Sequence, residues 1–170
     1  DSTNYGGADG FEFIEVYNNT DQVLNFADYY IIYRYPTGPQ DDAIWIPEKR
    51  DMELEPGQAL VLWIANNANE TATVEDFNRN YYGDNREHDL IENENIVRMP
   101  GGIANQRMRE IIIATNTGFE LVTAAYNRGE YDVARDMGIF YQYPQDGTTE
   151  MVKISGGTKP DTPGIVEPEL

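Results

Sequence analysis

Cysteine is absent from this 170-residue sequence, and histidine occurs once, as His88. Without cysteine there are no disulfides, thiolate nucleophiles, iron–sulfur clusters or Cys-ligated zinc sites. A single imidazole also excludes metal sites that need two or more, including those of the HExxH metalloproteases. Because His88 has no histidine or cysteine to act with, we interpret it as an exposed loop residue.

Basic residues are scarce as well: 12 Lys and Arg stand against 30 Asp and Glu, which gives a net charge of −18. A nucleic-acid binder needs basic side chains to neutralise phosphates, and an anionic membrane surface attracts polybasic segments. Neither partner is therefore expected. No apolar run reaches the ~20 residues of a membrane-spanning helix, so the sequence predicts no transmembrane segment.

The sequence does contain the apolar and aromatic residues of a folded chain: 40% are hydrophobic, with 12 Tyr, 6 Phe and 2 Trp. That content is too high for a disordered acidic chain. The sequence begins with Asp1 rather than Met and has no basic segment followed by an apolar one. We therefore expect it to be a piece of a longer or processed protein.

Short segments rich in β-branched and aromatic residues, separated by turn residues, dominate the chain. They predict strands over residues 11–17, 29–35, 43–46, 59–64, 96–99, 110–115, 119–126, 139–143 and 150–154. One segment differs, because Val74, Phe77 and Tyr81 fall on one helical face. Thr73 precedes it as an N-cap and Gly83 follows it as a stop. This pattern predicts a short helix lying on the sheets.

Many strands and one short helix indicate an all-β fold, an immunoglobulin-like β-sandwich with one short helical insertion. We place the sandwich at residues 1–157 and the insertion with its helix at about 65–109, because a plain domain of this type needs only ~100 residues. Residues 84–95 and 129–136 are predicted loops. The Gly and Pro residues near the C-terminus are typical of a linker, so residues 158–170 are predicted to be a tail.

Several landmarks resemble the lamin tail domain family, an immunoglobulin-like β-sandwich found in nuclear lamins and in many secreted bacterial proteins. Residues 11–18 read FEFIEVYN and are similar to the family's E-[WF]-[IV]-E-[LI]-Y-N opening. Residues 54–62 read LEPGQALVL and resemble its L-x-P-G-x-x-L-V-L hairpin. Residues 23–31 match its V-D-L-S-x-W-x-L strand in pattern, and TPG at 162–164 resembles its closing motif.

The resemblance implies a non-catalytic accessory module of a larger bacterial protein, secreted or attached to the cell surface, often beside a nuclease, phosphoesterase or other hydrolase domain. The implied role is adhesion, targeting or domain spacing through protein or glycan binding. Glu12, the family's glutamate, is expected to accept hydrogen bonds from a neighbouring loop backbone. Glu15 is an odd number of residues away, so the two carboxylates are predicted on opposite sheet faces.

One departure from the family bears on partners. An apolar strand usually precedes the family's opening motif, and residues 1–10 contain none. If that strand is missing, the strand around Phe11 or its neighbour offers an unpaired edge to another chain. We therefore predict concentration-dependent homodimerisation through this edge, which a sedimentation profile showing only monomer at high concentration would exclude.

Two alternative functions use the acidic side chains. One is a calcium-assisted carbohydrate-binding module, although the D-x-[DN]-x-[DN]-G-x₅-E spacing of a calcium loop is absent. The other is a carboxylate-dependent glycoside hydrolase, which needs two carboxyls ~5 Å or ~6.5–9.5 Å apart in a cleft. The residues considered are Asp84, Asp89, Glu92 and Glu94 for calcium, and the pairs Asp41 and Asp42, Glu53 and Glu55, and Glu92 and Glu94 for catalysis. The sequence assigns no catalytic, cofactor-binding or metal-binding residue.

Aromatic residues offer a further candidate surface, a stacking platform for sugars. The tyrosines concerned are Tyr29, Tyr30, Tyr33, Tyr35, Tyr141 and Tyr143. Residues of the same parity share one face of a strand, so Tyr33 projects with Tyr35 and Tyr141 with Tyr143. We expect one such face to pack in the core. Separately, the Asn-x-Thr triplets at 18–20 and 69–71 match the glycosylation sequon, a short pattern that arises often by chance.

Overall fold

The computed structural model describes residues 4–5 and 8–166 of the chain. Its strands are β1 (Asn4–Tyr5), β2 (Ala8–Asp9), β3 (Phe13–Tyr17), β4 (Leu24–Asn25), β5 (Tyr29–Arg34), β6 (Ala43–Trp45), β7 (Glu53–Leu54), β8 (Ala59–Ala65), β9 (Ile96–Pro100), β10 (Arg109–Thr115), β11 (Glu120–Tyr126), β12 (Met137–Gln142) and β13 (Val152–Pro160). A turn of 3₁₀ helix, Phe26–Asp28, joins β4 to β5, and the α-helix α1 spans Val74–Tyr82. The described residues form an all-β sandwich with one short helical insertion, as the sequence predicts.

Two sheets form the sandwich. One has the order β11-β10-β5-β6 and is antiparallel throughout, with Ile111 paired to both Tyr33 and Ala124. The other has the order β3-β8-β9, in which β3 runs antiparallel and β9 parallel to the central strand. Shorter pairs join β1 to β2, β4 to β7 and β12 to β13. Side chains such as Tyr33, Leu62 and Met99 meet in the core between the two sheets.

Strand β8 is buried on both faces, which explains why its sequence is an unbroken apolar run. Leu60, Leu62 and Ile64 point into the core between the sheets. Val61 and Trp63 point the other way, into a second apolar cluster that α1 covers. The molecule therefore has three layers: the four-stranded sheet, the three-stranded sheet and the helix.

Helix α1 lies on the outer face of the three-stranded sheet, at the position that the sequence predicts. The Thr73 hydroxyl accepts a hydrogen bond from the backbone N–H of Asp76, and the Asp76 carboxylate accepts one from the backbone N–H of Thr73. This capping box starts the helix, and Gly83 ends it with a φ of 60°. On the buried face, Phe77 packs against Trp63 with ring centroids 5.0 Å apart.

Several elements differ from the sequence-based boundaries, among them the two-residue strands β1 and β2, which the sequence does not predict. Strand β13 continues to Pro160, past the predicted domain end at residue 157 and into the segment that composition marked as a linker. Strand β9 lies inside the predicted insertion of 65–109, yet it is the third strand of the β3-β8-β9 sheet. The loops predicted at 84–95 and 129–136 contain neither helix nor extended strand, as expected.

Gly157 permits a close approach between β13 and the loop that precedes β12. Its φ of 60° lies in the left-handed region, and a Cβ there would overlap the backbone oxygen of Asp132. We expect Gly157→Ala to lower the free energy of unfolding by about 2 kcal/mol. Gly102→Ala is the matched control, because a Cβ at Gly102 meets open space. Urea denaturation of both variants measures the difference, and equal stability of the two would contradict this account.

Candidate functional site

A cleft of about 610 Å³ opens beside β3, between that strand, β11, β12 and the segment 161–166. Its volume lies in the usual range of ligand pockets in proteins. We call it the edge cleft. Its apolar lining includes Ile14, Val16, Ile111, Ile113, Val122, Ala124, Ile139 and Phe140. Except for Val16, these side chains are only partly buried, so the inter-sheet core is open to solvent here.

Strand β3 has one edge that no described strand pairs with. Among the described residues it pairs only with β8, and hydrogen bonds from Ile64 N–H to the Glu12 carbonyl and from Asn18 N–H to the Gln58 carbonyl bracket the ladder. Because hydrogen-bonded pairs alternate in an antiparallel ladder, residues 14 and 16 also bond to β8. The backbone groups of residues 13, 15 and 17 therefore point to the open edge, where no described residue bonds to them.

Strand β12 borders the same cleft from another side. Among the described residues it pairs only with β13, as a two-stranded sheet. Its residues Met137, Gly138, Ile139, Phe140 and Tyr141 all line the cleft. The edge cleft is thus bounded by two strands that each have one side without a partner among the described strands, and such a side can accept a further strand.

Three carboxylic acids line the edge cleft, Glu12, Glu15 and Asp161, and its described lining includes no Lys, Arg or His. Burial, reinforced by the nearby charge of Asp9, raises the pKa of Glu12 from 4.5 to about 7. Burial likewise raises the pKa of Glu15 from 4.5 to about 7, and it raises that of Asp161. The cleft therefore presents acceptor groups that are hard to ionise without a cation nearby.

Two further polar atoms at the cleft are buried without a hydrogen-bond partner. They are Oδ1 of Asn105 and Oγ1 of Thr162, and both residues line the cleft. A buried polar atom without a partner is unfavourable and is rare in native proteins. Either atom can accept a hydrogen bond from a donor on a bound molecule.

The two glutamates of the opening motif lie as the sequence predicts. Glu12 accepts a hydrogen bond from the backbone N–H of Ile103, a loop residue, as the lamin tail resemblance implies. Glu15 accepts one from the backbone N–H of Gly164 in the C-terminal segment. They lie three residues apart along an extended chain and take partners on different sides, so they do not form a carboxylate pair on one surface.

The other acidic candidates lie outside the edge cleft. Both members of each candidate pair are exposed: Asp41, Asp42, Glu53, Glu55, Glu92 and Glu94. In the loop considered for calcium, Asp89 pairs with Arg86 at 2.9 Å, and Asp84 is exposed. Within residues 4–5 and 8–166, no group of three or more His, Asp or Glu side chains is placed to hold a metal ion. His88 is exposed, as expected.

The tyrosines divide between the core and the cleft. Tyr33 is buried and stacks on Trp45 with ring centroids 4.4 Å apart. The rings of Tyr33 and Tyr35 pack in a T-shaped arrangement with centroids 5.3 Å apart. This confirms that these two project together into the core. Tyr141 and Tyr143 both line the edge cleft, and Tyr143 is exposed. Tyr29 is half-buried and also lines the cleft, whereas Tyr30 packs against a separate apolar cluster that includes Ile112. The candidate stacking surface at the cleft therefore comprises Tyr29, Tyr141 and Tyr143.

Both sequon asparagines are buried. The side-chain amide of Asn18 donates to the carbonyls of Gln22 and Leu54 at 2.8 and 2.9 Å. The side-chain amide of Asn69 donates to the carbonyls of Gly10 and Ile64 at 2.7 and 2.8 Å. These residues tie loops to strands, a structural role that the triplet pattern did not suggest.

The fold and the cleft define the class: an all-β sandwich with an apolar, acid-lined cleft at one sheet edge. No family model and no solved structure matches the chain. The chain is similar to the protein named "Uncharacterized protein YvnB" of Bacillus subtilis (strain 168), at 39% identity over 169 residues. The match covers 98% of this chain and spans 12% of that relative. The described part of the chain holds no helix with the length and hydrophobicity needed to span a membrane.

Proposed function

We propose that the chain is a non-catalytic accessory module of a larger secreted or cell-surface protein, and that it binds a protein partner in the edge cleft. The observation that carries this proposal is the cleft itself: an apolar groove of about 610 Å³ beside a strand with an unpaired edge. An exposed apolar groove of this kind is typical of interaction sites. A sheet edge next to it suits a polypeptide better than a small molecule.

The place of the module in a larger protein is supported by the relative from Bacillus subtilis. Nearly all of this chain matches a stretch amounting to 12% of that protein. The resemblance to bacterial lamin tail domains points the same way, to an accessory unit outside the cell beside a hydrolase, nuclease or phosphoesterase domain. The net charge of −18 makes nucleic acid an unfavourable partner.

A non-catalytic role is favoured by the arrangement of the buried carboxyls. A glycoside hydrolase needs two carboxyls that face one substrate bond from opposite sides. Glu12 and Glu15 instead take backbone partners in different segments, Ile103 and Gly164. Their raised pKa values follow from burial, which also occurs in binding sites.

Glycan binding is the second candidate, because Tyr141 and Tyr143 line the cleft and Tyr143 is exposed. Aromatic rings of this kind provide flat apolar faces on which sugars pack. Calcium assistance would need a group of oxygen ligands, and the described residues offer no such cluster. A glycan site here would therefore work through the tyrosines and the cleft acids alone.

The experiment that separates these candidates presents the purified chain to an array of short peptides and to an array of oligosaccharides. Ala124→Phe places a ring in the cleft, and Ile44→Phe, on an exposed β6 side chain, is its matched control. We expect peptide binding that Ala124→Phe weakens at least about tenfold and Ile44→Phe leaves intact. Binding to oligosaccharides alone, or to neither array, would overturn the proposal. Thermal melting of each variant checks that it folds.

A further inference from the structure

We propose that the occupant of the edge cleft is an extended polypeptide segment of another protein that adds a strand to β3 and carries Lys or Arg on one of its two faces. This inference rests on the proposed function and names the chemistry of its partner. It requires three things of the cleft: free backbone groups, an apolar wall for one face of the added strand, and negative charge for the other.

The backbone groups to which no described residue bonds are those of Phe13, Glu15 and Tyr17. Each has an N–H and a carbonyl directed to the open edge of β3, because the intervening residues bond to β8. An added strand satisfies donors and acceptors together, so these hydrogen bonds provide affinity that depends little on sequence. The side chains of the added strand then provide specificity.

The apolar wall lies on the core side of β3. Side chains of an added strand alternate between its faces, as those of β3 do. Those beside Ile14 and Val16 would point into the cleft toward Ile111 and Ile139. Because most of these wall residues are only partly buried, small and medium apolar side chains would complete the inter-sheet core at this edge.

The opposite face of the added strand lies beside Glu15, on the side where the C-terminal segment brings Gly164. Glu15 lies on this face and Asp161 lines the same cleft, whose described lining includes no Lys, Arg or His, so a Lys or Arg of the partner would supply a counter-charge. A cation beside Glu15 favours its ionised form, so binding and ionisation support one another.

A second copy of this chain is a poorer occupant of the same edge. Each copy carries a net charge of −18, so two copies repel at low ionic strength. Strand β3 itself would bring Glu15 of one copy close to the acids of the other. Homodimerisation through this edge therefore stands as the competing outcome of the experiment.

The first test uses amide hydrogen exchange measured residue by residue by NMR. In the free chain we expect the Ile14 and Val16 amides to exchange at least about 100-fold more slowly than those of Glu15 and Tyr17. The probe is the peptide acetyl-Val-Lys-Val-Lys-Val-Lys-Val-amide. Its addition is expected to slow exchange at Phe13, Glu15 and Tyr17. Binding of this peptide without such protection would overturn the proposed strand addition.

The second test addresses charge. Replacing the Lys residues of the probe by Glu, or making Glu15→Gln in the protein, is expected to weaken binding about tenfold. Glu53→Gln is the matched control, because Glu53 is exposed and lies outside the cleft. Equal binding of the Lys and Glu peptides would overturn the proposed cation preference.

The third test separates this inference from the function on which it rests. Two variants of the probe peptide carry N-methyl groups on alternate residues, one on the odd and the other on the even positions. In one variant the methyl groups remove the N–H donors that face β3, and in the other those donors remain, so only the second variant should bind. A peptide from the array whose binding is weakened by Ala124→Phe, but which slows exchange at no β3 amide, would support the binding function and overturn the strand addition. If sedimentation instead shows dimers whose β3 amides are protected without peptide, a second copy is the occupant and the inference fails.

Discussion

Phe77→Ala is expected to lower the free energy of unfolding by about 4 kcal/mol, because it opens a cavity where α1 meets the three-stranded sheet. The Phe77 side chain is fully buried. Its ring lies 4.8 Å from that of Tyr81, 5.0 Å from that of Trp63 and 6.0 Å from that of Phe11, measured between centroids. These neighbours come from three separate segments, so the gap cannot close by a small local shift.

The matched control lies on the same helix. Arg79 is exposed, and its ion pair with Glu75 lies at the surface. Because exposed ion pairs contribute little, Arg79→Ala is expected to change stability by less than about 0.5 kcal/mol. Urea denaturation followed by circular dichroism measures both variants. If the two lose similar stability, the helix is not anchored through Phe77, and the three-layer description of the molecule is wrong.

Glu12 is expected to make the chain less stable as pH rises from about 4.5 to about 7. Burial raises the pKa of Glu12 from 4.5 to about 7 in the folded chain, whereas the unfolded chain keeps the ordinary value. In that window the unfolded state has released the proton and the folded state still binds it, so the free energy of unfolding falls. Below it both states are protonated, and above it the loss is complete.

Glu12→Gln removes the titration while keeping an oxygen to accept the hydrogen bond from Ile103. We expect the variant to gain about 3 kcal/mol relative to the natural chain between pH 4.5 and pH 8. Glu15→Gln should show the same sign and a comparable effect, because burial raises the pKa of Glu15 to about 7 as well. Urea denaturation across this pH range measures the gain, and Glu53→Gln at an exposed site is the control. Parallel pH curves for Glu12→Gln and the natural chain would contradict the burial of this carboxyl.

The strands and the helix were predictable because their signals are local. Each signal lies within one short segment: the apolar run within β8, and the spacing of Val74, Phe77 and Tyr81 within α1. The acceptor role of Glu12 was expected from the lamin tail resemblance, and Glu12 does accept a hydrogen bond from Ile103. The spacing of apolar residues predicts which side chains are buried, but it does not identify the segments that cover them.

The edge cleft was not predictable in the same way, because its walls come from segments more than 100 residues apart. Ile14 lies at one end of the sequence, while Ile139 and Thr162 lie at the other. The continuation of β13 through Gly156 and Gly157 was missed for a related reason. Two consecutive glycines are typical of a linker. In the structure, however, Asp132 packs so close to Gly156 and Gly157 that a Cβ at either position would overlap it, and this contact cannot be read from the sequence.

The burial of Asn18 and Asn69 has a consequence for how this chain is best produced. In each residue the amide nitrogen that bonds to two backbone carbonyls is the atom to which an N-linked sugar is attached. In a eukaryotic secretory host, the sugar would be transferred to the nascent chain and would occupy sites that folding must bury. Glycosylation and folding would then compete for the same two side chains, whereas a host without this modification leaves both free to fold.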